Sequence, residues 1–286
     1  MYGAILGDII GCPYEYSSHK SKEFPLFGET SHFTDDTIMT IAVCKALLMT
    51  KPGTKPDKIR ERIALSMAET ADGHRNGDYG RRFGCWLFSC MIRKKIPEPY
   101  NSYGNGSAMR VSSVGWLYNS ITKTREMARM SAEVTHNHPE GMKGAEATAS
   151  AIYLARTGHS KEYIKDYIES EFGYDLSRTC DKIRPTYRFN ETCQGTVPEA
   201  IICFLEGEDF EDVIRLAVSL GGDADTLAAI AGSIAEGYYD IPKELIEEAR
   251  SRLPKEFCDV IDAFDKTKQN RLPLQFQSTK EDTERD

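Results

Sequence analysis

From residue 37 to about residue 252 the chain sets its apolar residues at helical spacing, with no clear strand-like alternation. Residues 37–50 carry Ile38, Ile41, Ala42 and Leu48 near a 3.6-residue period, and residues 57–72 repeat it with Ile59, Ile63 and Met67. Comparable stretches lie at about 80–93, 107–119, 124–135, 141–157, 161–170, 195–206, 209–219, 225–238 and 243–252. The segment 172–193 is the least helical, with "RPTYRF" (184–189) as its candidate extended piece. Small residues crowd two of the helices ("GAEATASAIYLA", "TLAAIAGSIAEG"), which suits close helix packing. Gly158 and Gly207 fall where helices should stop, and Pro139 and Pro198 near where they should start. There is no fixed repeat and no linker rich in Gly, Pro or Ser. The expectation is an all-α chain: one compact domain over 1–270, then a polar tail over 271–286.

Charge and cysteine usage narrow the functional classes. The formal net charge is −8, and no Lys/Arg run exceeds "RKK" at 93–95, which argues against nucleic acid as a partner. No apolar run approaches the length of a membrane span. Eight cysteines occur without a C-x-x-C pair, and the opening "MYGAILGDIIG" carries neither a basic n-region nor a cleavage site. Free thiols in a reducing cytoplasm are therefore expected.

Two stretches carry an unusual acid pattern. "FTDDTIMT" sets Thr34, Asp35 and Asp36 at the start of a helical run. Acids there complement a helix dipole, and Thr34 fits an N-cap, so capping alone is one reading. "SLGGDADTLAAIAGS" repeats the chemistry with Asp223, Asp225 and Thr226 behind two glycines. Two such sites favour the other reading, oxygen ligands for a hard cation such as Mg²⁺, Ca²⁺ or Mn²⁺, because neither stretch offers the His or Cys that zinc prefers. A further acid, Glu15, follows a helix that breaks at Cys12-Pro13 in "LGDIIGCPYEY"; a solvated loop carboxylate is its plain alternative. Convergence would crowd five negative charges together, which two divalent cations would largely neutralise.

Three more segments are informative. "NSYGNGSAMR" places Asn101, Ser102, Tyr103, Gly104, Asn105 and Gly106 in a donor-rich turn opening a helix, suited to a phosphate or pyrophosphate and equally to a surface turn. Tyr103 could stack on an aromatic base. "EVTHNHPEG" holds His136 and His138 at a spacing that is not a helical metal pair; His136 fits either a structural C-cap or a donor to a ligand. "RNGDYGRRFG" places Asp78 ahead of a helix, as an N-cap or facing a cationic substrate group.

Together these segments resemble the ADP-ribosylglycohydrolase family. "GAILGDIIGCPYE", "FTDDTIMTIAV", "GDYG", "YGNGSAMRV", "THNHPEG" and "SLGGDADTLAAIAGSIAE" fall in the family's order over roughly residues 1–240. His138-Pro139 is a local variant, and 159–193 does not align. The resemblance implies a compact orthogonal helical bundle with a binuclear Mg²⁺ (or Mn²⁺) site. By motif position, Thr34, Asp35, Asp36, Asp223, Asp225 and Thr226 match the family's metal ligands, and Glu15 a further ligand on a movable flap. Asn101 to Gly106 match the loop around the ADP-ribose pyrophosphate, with Tyr103 toward the adenine and His136 in the same pocket. The implied reaction hydrolyses the glycosidic bond of an ADP-ribosylated protein or small-molecule conjugate. Asp35, Asp36 and Glu15 are the candidates to take a proton from water and to stabilise an oxocarbenium-like centre. Asp78 matches an acid of the arginine-processing relative and points to ADP-ribosyl-arginine. Two alternatives stand beside this: a catalytically silent ADP-ribose binder, and a metal hydrolase of another nucleoside or phosphoester.

Overall fold

The computed structural model describes residues 1–75, 77–93 and 96–271. Most of the anticipated polar tail, 272–286, lies outside them. The chain is all-α. In order, the helices are α1 Tyr2–Gly11, α2 Asp35–Leu48, α3 Pro56–Gly73, α4 Arg81–Arg93, α5 Gly106–Met109, α6 Ser112–Leu117, α7 Ile121–Glu133 and α8 Pro139–Arg156. Then follow α9 Lys161–Phe172, α10 Cys180–Ile183, α11 Cys193–Glu206, α12 Phe210–Leu220, α13 Ala224–Ala235, α14 Lys243–Arg252 and α15 Lys255–Arg271. Among the described residues there are no strands, and the strand-like pairing is one isolated bridge between Gly104 and Thr192.

The centre is the pair α1–α13. Every residue of both helices is buried, as expected of helices apolar on all sides. Gly3, Gly7 and Gly11 repeat at four-residue spacing, so they form one ridge of α1. A Cβ on any of the three would fall within 3.0 Å of α13 atoms: at Gly232, at the Ala228 backbone, and at Asp225 Cα. The two backbones therefore touch directly, and no residue larger than glycine fits the ridge. Glu236, at the end of α13, locks the pair further by accepting the Gly3 N–H at 2.9 Å.

Helix ends follow local chemistry. Thr34 is the N-cap of α2, its Oγ1 accepting from the Asp36 N–H at 3.3 Å. His138 caps α8 through Nδ1, with Pro139 at the first helical position. Gly158, just beyond α8, has φ +82°, as a helix stop requires.

Several expectations are corrected. "RPTYRF" is no strand; residues 184–186 form a turn after α10, residues 187–189 carry no regular structure, and the Tyr187 hydroxyl donates to the Gly195 carbonyl at 2.9 Å. The expected helix 107–119 is two helices, broken where Arg110 leaves helical geometry (φ −89°, ψ 3°). Its guanidinium binds Ser131 O and Thr135 Oγ1, which no periodicity could reveal. Gly207 ends α11 with φ −61° rather than a left-handed turn; glycine is needed because a Cβ would strike Val213. Pro198 sits inside α11, which begins at Cys193 rather than about 195. Helices α10 and α15 were not anticipated.

The glycine ridge yields a stability test. Gly7→Ala should lower unfolding free energy by about 3 kcal/mol in urea titration, an overpacking cost against fixed backbone. Gly73→Ala, where a Cβ meets nothing within 4 Å, should change it by no more than about 0.5 kcal/mol.

Candidate functional site

The start of α2 is held by an acid that does not belong to it. Asp8, fully buried in α1, accepts from the Thr34 N–H (2.9 Å), the Thr37 N–H (3.0 Å) and the Thr34 hydroxyl (2.8 Å). Two orphan N–H groups of the helix start, and the hydroxyl of its cap, are thus satisfied from outside. Capping is therefore the work of Thr34 and Asp8, and neither Asp35 nor Asp36 is needed for it. Asp36 is buried, 3% exposed, and its Oδ1 has no hydrogen-bond partner.

The start of α13 meets this point from the other side. Gly221 (φ +69°) and Gly222 (φ +81°) turn the chain sharply in a region closed to most side chains. Asp223 then holds the N-cap position without a side-chain capping bond. It accepts instead from Asn105 Nδ2 at 2.6 Å, which ties the glycine loop to the acids. Asp225 Oδ1 accepts from the Thr226 N–H at 2.8 Å, and the Thr226 hydroxyl donates to Asp36 Oδ2 at 3.1 Å. That last bond joins the two helix starts across 190 residues of sequence. Glu15, half-buried just after the short turn of helix Cys12–Tyr14, completes a group with Asp223 and Asp225. One oxygen from each lies within 4.8 Å of the others.

These acids raise one another's proton affinity. Burial, then neighbouring negative charge, holds Asp35, Asp36 and Asp225 well above the usual carboxylate range. Burial also raises Asp8 and Asp223, against the pull of their hydrogen bonds. Glu15 is pushed up to about 7 by burial, with Asp223, Asp78 and Asp8 adding to it. Burial and the charge of Asp8 push the neighbouring Cys12 thiol to about 12, which leaves it unreactive.

The residues fit hard divalent cations on three counts. The donors are oxygens throughout. Asp36 Oδ1 is a buried acceptor with nothing to accept from. The hydrogen-bond donors to the acids are Thr34, Thr37, Thr226 and Asn105, neutral groups that leave the negative charge uncancelled. Oxygens within 4.8 Å of each other can share one ion bound at about 2.0–2.6 Å.

Above the acids opens a cleft of about 690 Å³, within the range of small-molecule sites. Its lining includes Glu15, Asp35, Asp36, Asp223, Asp225, Thr226, Ser102, Gly104, Asn105, Gly106, His136 and Asp78. Thr34 is not on this surface; its hydroxyl is turned to Asp8. Nor is Asn101, whose φ of +54° turns the chain and whose N–H donates to Asn137 Oδ1. Tyr103 lies in an adjoining groove that shares Arg82, Ser102 and Gly104 with the cleft, and its ring meets His138 edge-on at 5.3 Å. Asp78 is exposed three residues before α4, so it is no N-cap. Arg81 and Arg82 also line the cleft, and Arg82 lies over the Tyr100 ring at 5.0 Å. Tyr16 and Phe189 stack at the mouth, with centroids 5.7 Å apart and planes at 19°.

Sequence reasoning missed Asp8, Arg110 and the Tyr16–Phe189 pair as parts of this site. Asp8 had a signal: it sits beside Gly7 on the ridge that touches α13. The aromatic pair had none.

A family model described as ADP-ribosylglycohydrolase matches residues 1–273. ADP-ribosylhydrolase ARH3 of Mus musculus is 27% identical, the match covering 83% of this chain and 82% of that protein. A protein of Archaeoglobus fulgidus is 26% identical over 87% of this chain and 90% of its own, and the Escherichia coli protein YegU 26% over 84% and 86%. Among solved structures, an "ADP-ribosylglycohydrolase-related protein complex" superposes with a TM-score of 0.70 at 24% identity, over 93% of this chain and 95% of that one, and so shares the fold.

The crowded acids make stability depend on pH. Carboxyls with raised folded pKa values hold protons that the unfolded chain has already released. Without cations, the contribution of these acids is therefore fully present below the unfolded carboxylate range, about 4, and is lost as pH rises through the folded values, about 7 for Glu15. Protein kept in EDTA should lose thermal stability as pH rises from about 4 to about 7. Mg²⁺ at about a hundredfold excess over its Kd should restore about 3 kcal/mol, more at the higher pH. A flat profile in EDTA, unmoved by Mg²⁺, would remove the charge-crowding account.

Proposed function

The chain belongs to the ADP-ribosylglycohydrolase family, and from that premise we propose that it hydrolyses the glycosidic bond between ADP-ribose and an acceptor, releasing ADP-ribose. The observation that carries this reading is the Thr226–Asp36 bond. It joins the two acid-bearing helix starts under one cleft that the glycine loop and His136 also line.

We assign Asp35, Asp36, Asp223, Asp225 and Thr226 as the residues that would hold two divalent cations, Mg²⁺ or Mn²⁺, with Thr34 behind them and Glu15 joining from the mouth. Bound there, such cations would orient a ribose diol and lower the pKa of a water. The chain's own groups do the rest. Asp35 and Asp36 present negative charge where the anomeric carbon becomes positive. Of the carboxylates that line the cleft, Asp35, Asp36 and Glu15 are our candidates to take the proton of the attacking water. Ser102, Gly104, Asn105 and Gly106 of the turn and His136 hold the diphosphate, with Asn101 supporting the turn from outside the cleft and Tyr103 beside it for the adenine. That binding persists in ground and transition states alike and is expressed mainly in KM.

The acceptor we favour is arginine, on the strength of Asp78. It is an exposed carboxylate on the cleft, able to accept two parallel N–H bonds from a guanidinium. Either an ADP-ribosylated protein or a small conjugate would present that group.

Three variants separate these roles. Asp225→Asn keeps an acceptor for the Thr226 N–H but removes a crowded charge. It should cut turnover about a thousandfold while leaving stability in EDTA unchanged or higher. Full turnover by Asp225→Asn in EDTA would dispose of the cation-dependent reading. Gly106→Val sets a side chain at the 3.3 Å approach to His136 Nε2. It should weaken ADP-ribose binding about tenfold in calorimetry while the Mg²⁺-induced thermal shift persists. Asp78→Ala should raise KM about tenfold for arginine-linked and not for serine-linked conjugates; equal effects on both would remove the arginine preference.

A further inference from the structure

His136 follows α7, its main-chain N–H donating to the Ala132 carbonyl at 2.7 Å. The side chain is 5% exposed. Nδ1 lies 2.7 Å from Thr135 Oγ1. Nε2 faces the glycine loop, where a Cβ on Gly104 or Gly106 would lie 3.4 or 3.3 Å away. Beneath them is Arg110, 1% exposed, whose Nη2 donates to Ser131 O at 3.0 Å and to Thr135 Oγ1 at 2.9 Å.

Counting protons decides which ring nitrogen is protonated. A guanidinium only donates, so Thr135 Oγ1 accepts from Arg110. The hydroxyl still has one proton of its own, and Thr135 is fully buried. Among the described residues, the partner within reach of that proton is Nδ1. Were Nδ1 protonated, two N–H groups would point at one oxygen and the hydroxyl proton would be buried without an acceptor, an arrangement folded proteins avoid. Nδ1 is therefore an acceptor, and a neutral ring must carry its proton on Nε2. Burial and then the charges of Arg110 and Arg82 hold His136 well below the usual histidine range, in keeping with a neutral ring.

We propose that Arg110 and Thr135 are positioning residues that lock His136 as its neutral Nε2–H tautomer, presenting a fixed N–H donor to the anionic group cradled by the glycine loop. This rests on the reading of the cleft as an ADP-ribose site. The relay also strengthens the donor. The guanidinium polarises the hydroxyl, the hydroxyl draws density from Nδ1, and the Nε2 proton becomes more positive. The cleft gains the pull of a buried cation through a neutral ring.

The test is a long-range ¹H–¹⁵N spectrum of the imidazoles in the full-length protein, with the His136 signals assigned by their loss in His136→Gln. The wild type should show the neutral Nε2–H pattern. Thr135→Val should shift it toward Nδ1–H or a mixture. The same variant should weaken ADP-ribose binding about tenfold in calorimetry and raise KM for an ADP-ribosyl conjugate more than it lowers kcat. Thr135→Ser, which keeps the hydroxyl, should restore the wild-type spectrum. An Nδ1–H pattern in the wild type overturns the relay even if Thr135→Val does not fold. So does an Nε2–H pattern unchanged in Thr135→Val. An Nε2–H wild type that fails to bind ADP-ribose overturns the functional reading and leaves the tautomer assignment standing.

Discussion

Direct contact between the backbones of α1 and α13 fixes the site. The ridge of Gly3, Gly7 and Gly11 lets the two helices meet without side chains between them. Asp8, next to Gly7, is thereby held where it reaches the first turn of α2. Gly11, pressed against Asp225, delivers the chain into the short helical turn that ends at Glu15. One contact thus sets three things: the start of α2, the start of α13, and the loop acid between them.

The electrostatics of this arrangement run against the stability of the bare protein. Six carboxylates, of Asp8, Glu15, Asp35, Asp36, Asp223 and Asp225, share a small volume, and each has its proton affinity raised. A fold seeking only stability would have set a lysine or arginine among them. The hydrogen-bond donors here are hydroxyls, an amide and backbone N–H groups, which orient carboxylates without neutralising them. The buried guanidinium of Arg110, which also lines the cleft, binds Ser131 and Thr135 rather than the acids. Negative charge is thereby kept for one half of the cleft and positive potential for the other, as a ligand with a sugar at one end and phosphates at the other requires.

Much of this was legible in the sequence because it is local. The helical period gave the class of fold, and paired motifs of acid and threonine gave both helix starts. Ser102, Gly104, Asn105, Gly106 and His136 line the cleft, while Asn101 and Tyr103 of the same turn lie off it. What escaped the sequence is long-range. The break at Arg110 comes from a guanidinium reaching across to α7, and "RPTYRF" reads as extended because nothing in it announces the Tyr187–Gly195 bond. Helix α15 was not anticipated, although Phe257, Ile261 and Phe264 pack into the core at helical spacing. Asp78 looked like a cap because it precedes a helix, yet α4 begins three residues later. Asp8 was visible as an acid, but its work is done on a helix start 26 residues away.

The glycine ridge has a consequence for rigidity. Glycine has no χ angle to freeze, and the alanines facing it across the contact have none of consequence, so this interface forms without loss of rotamer entropy. Its spacing is set by peptide geometry, which is stiff, and not by the mutual fit of long side chains, which can re-pack. Substitutions in the outer helices can therefore change how long the molecule survives heating while leaving the distances among its acids untouched. Such a frame would let outer layers diverge widely in sequence around an unchanging centre.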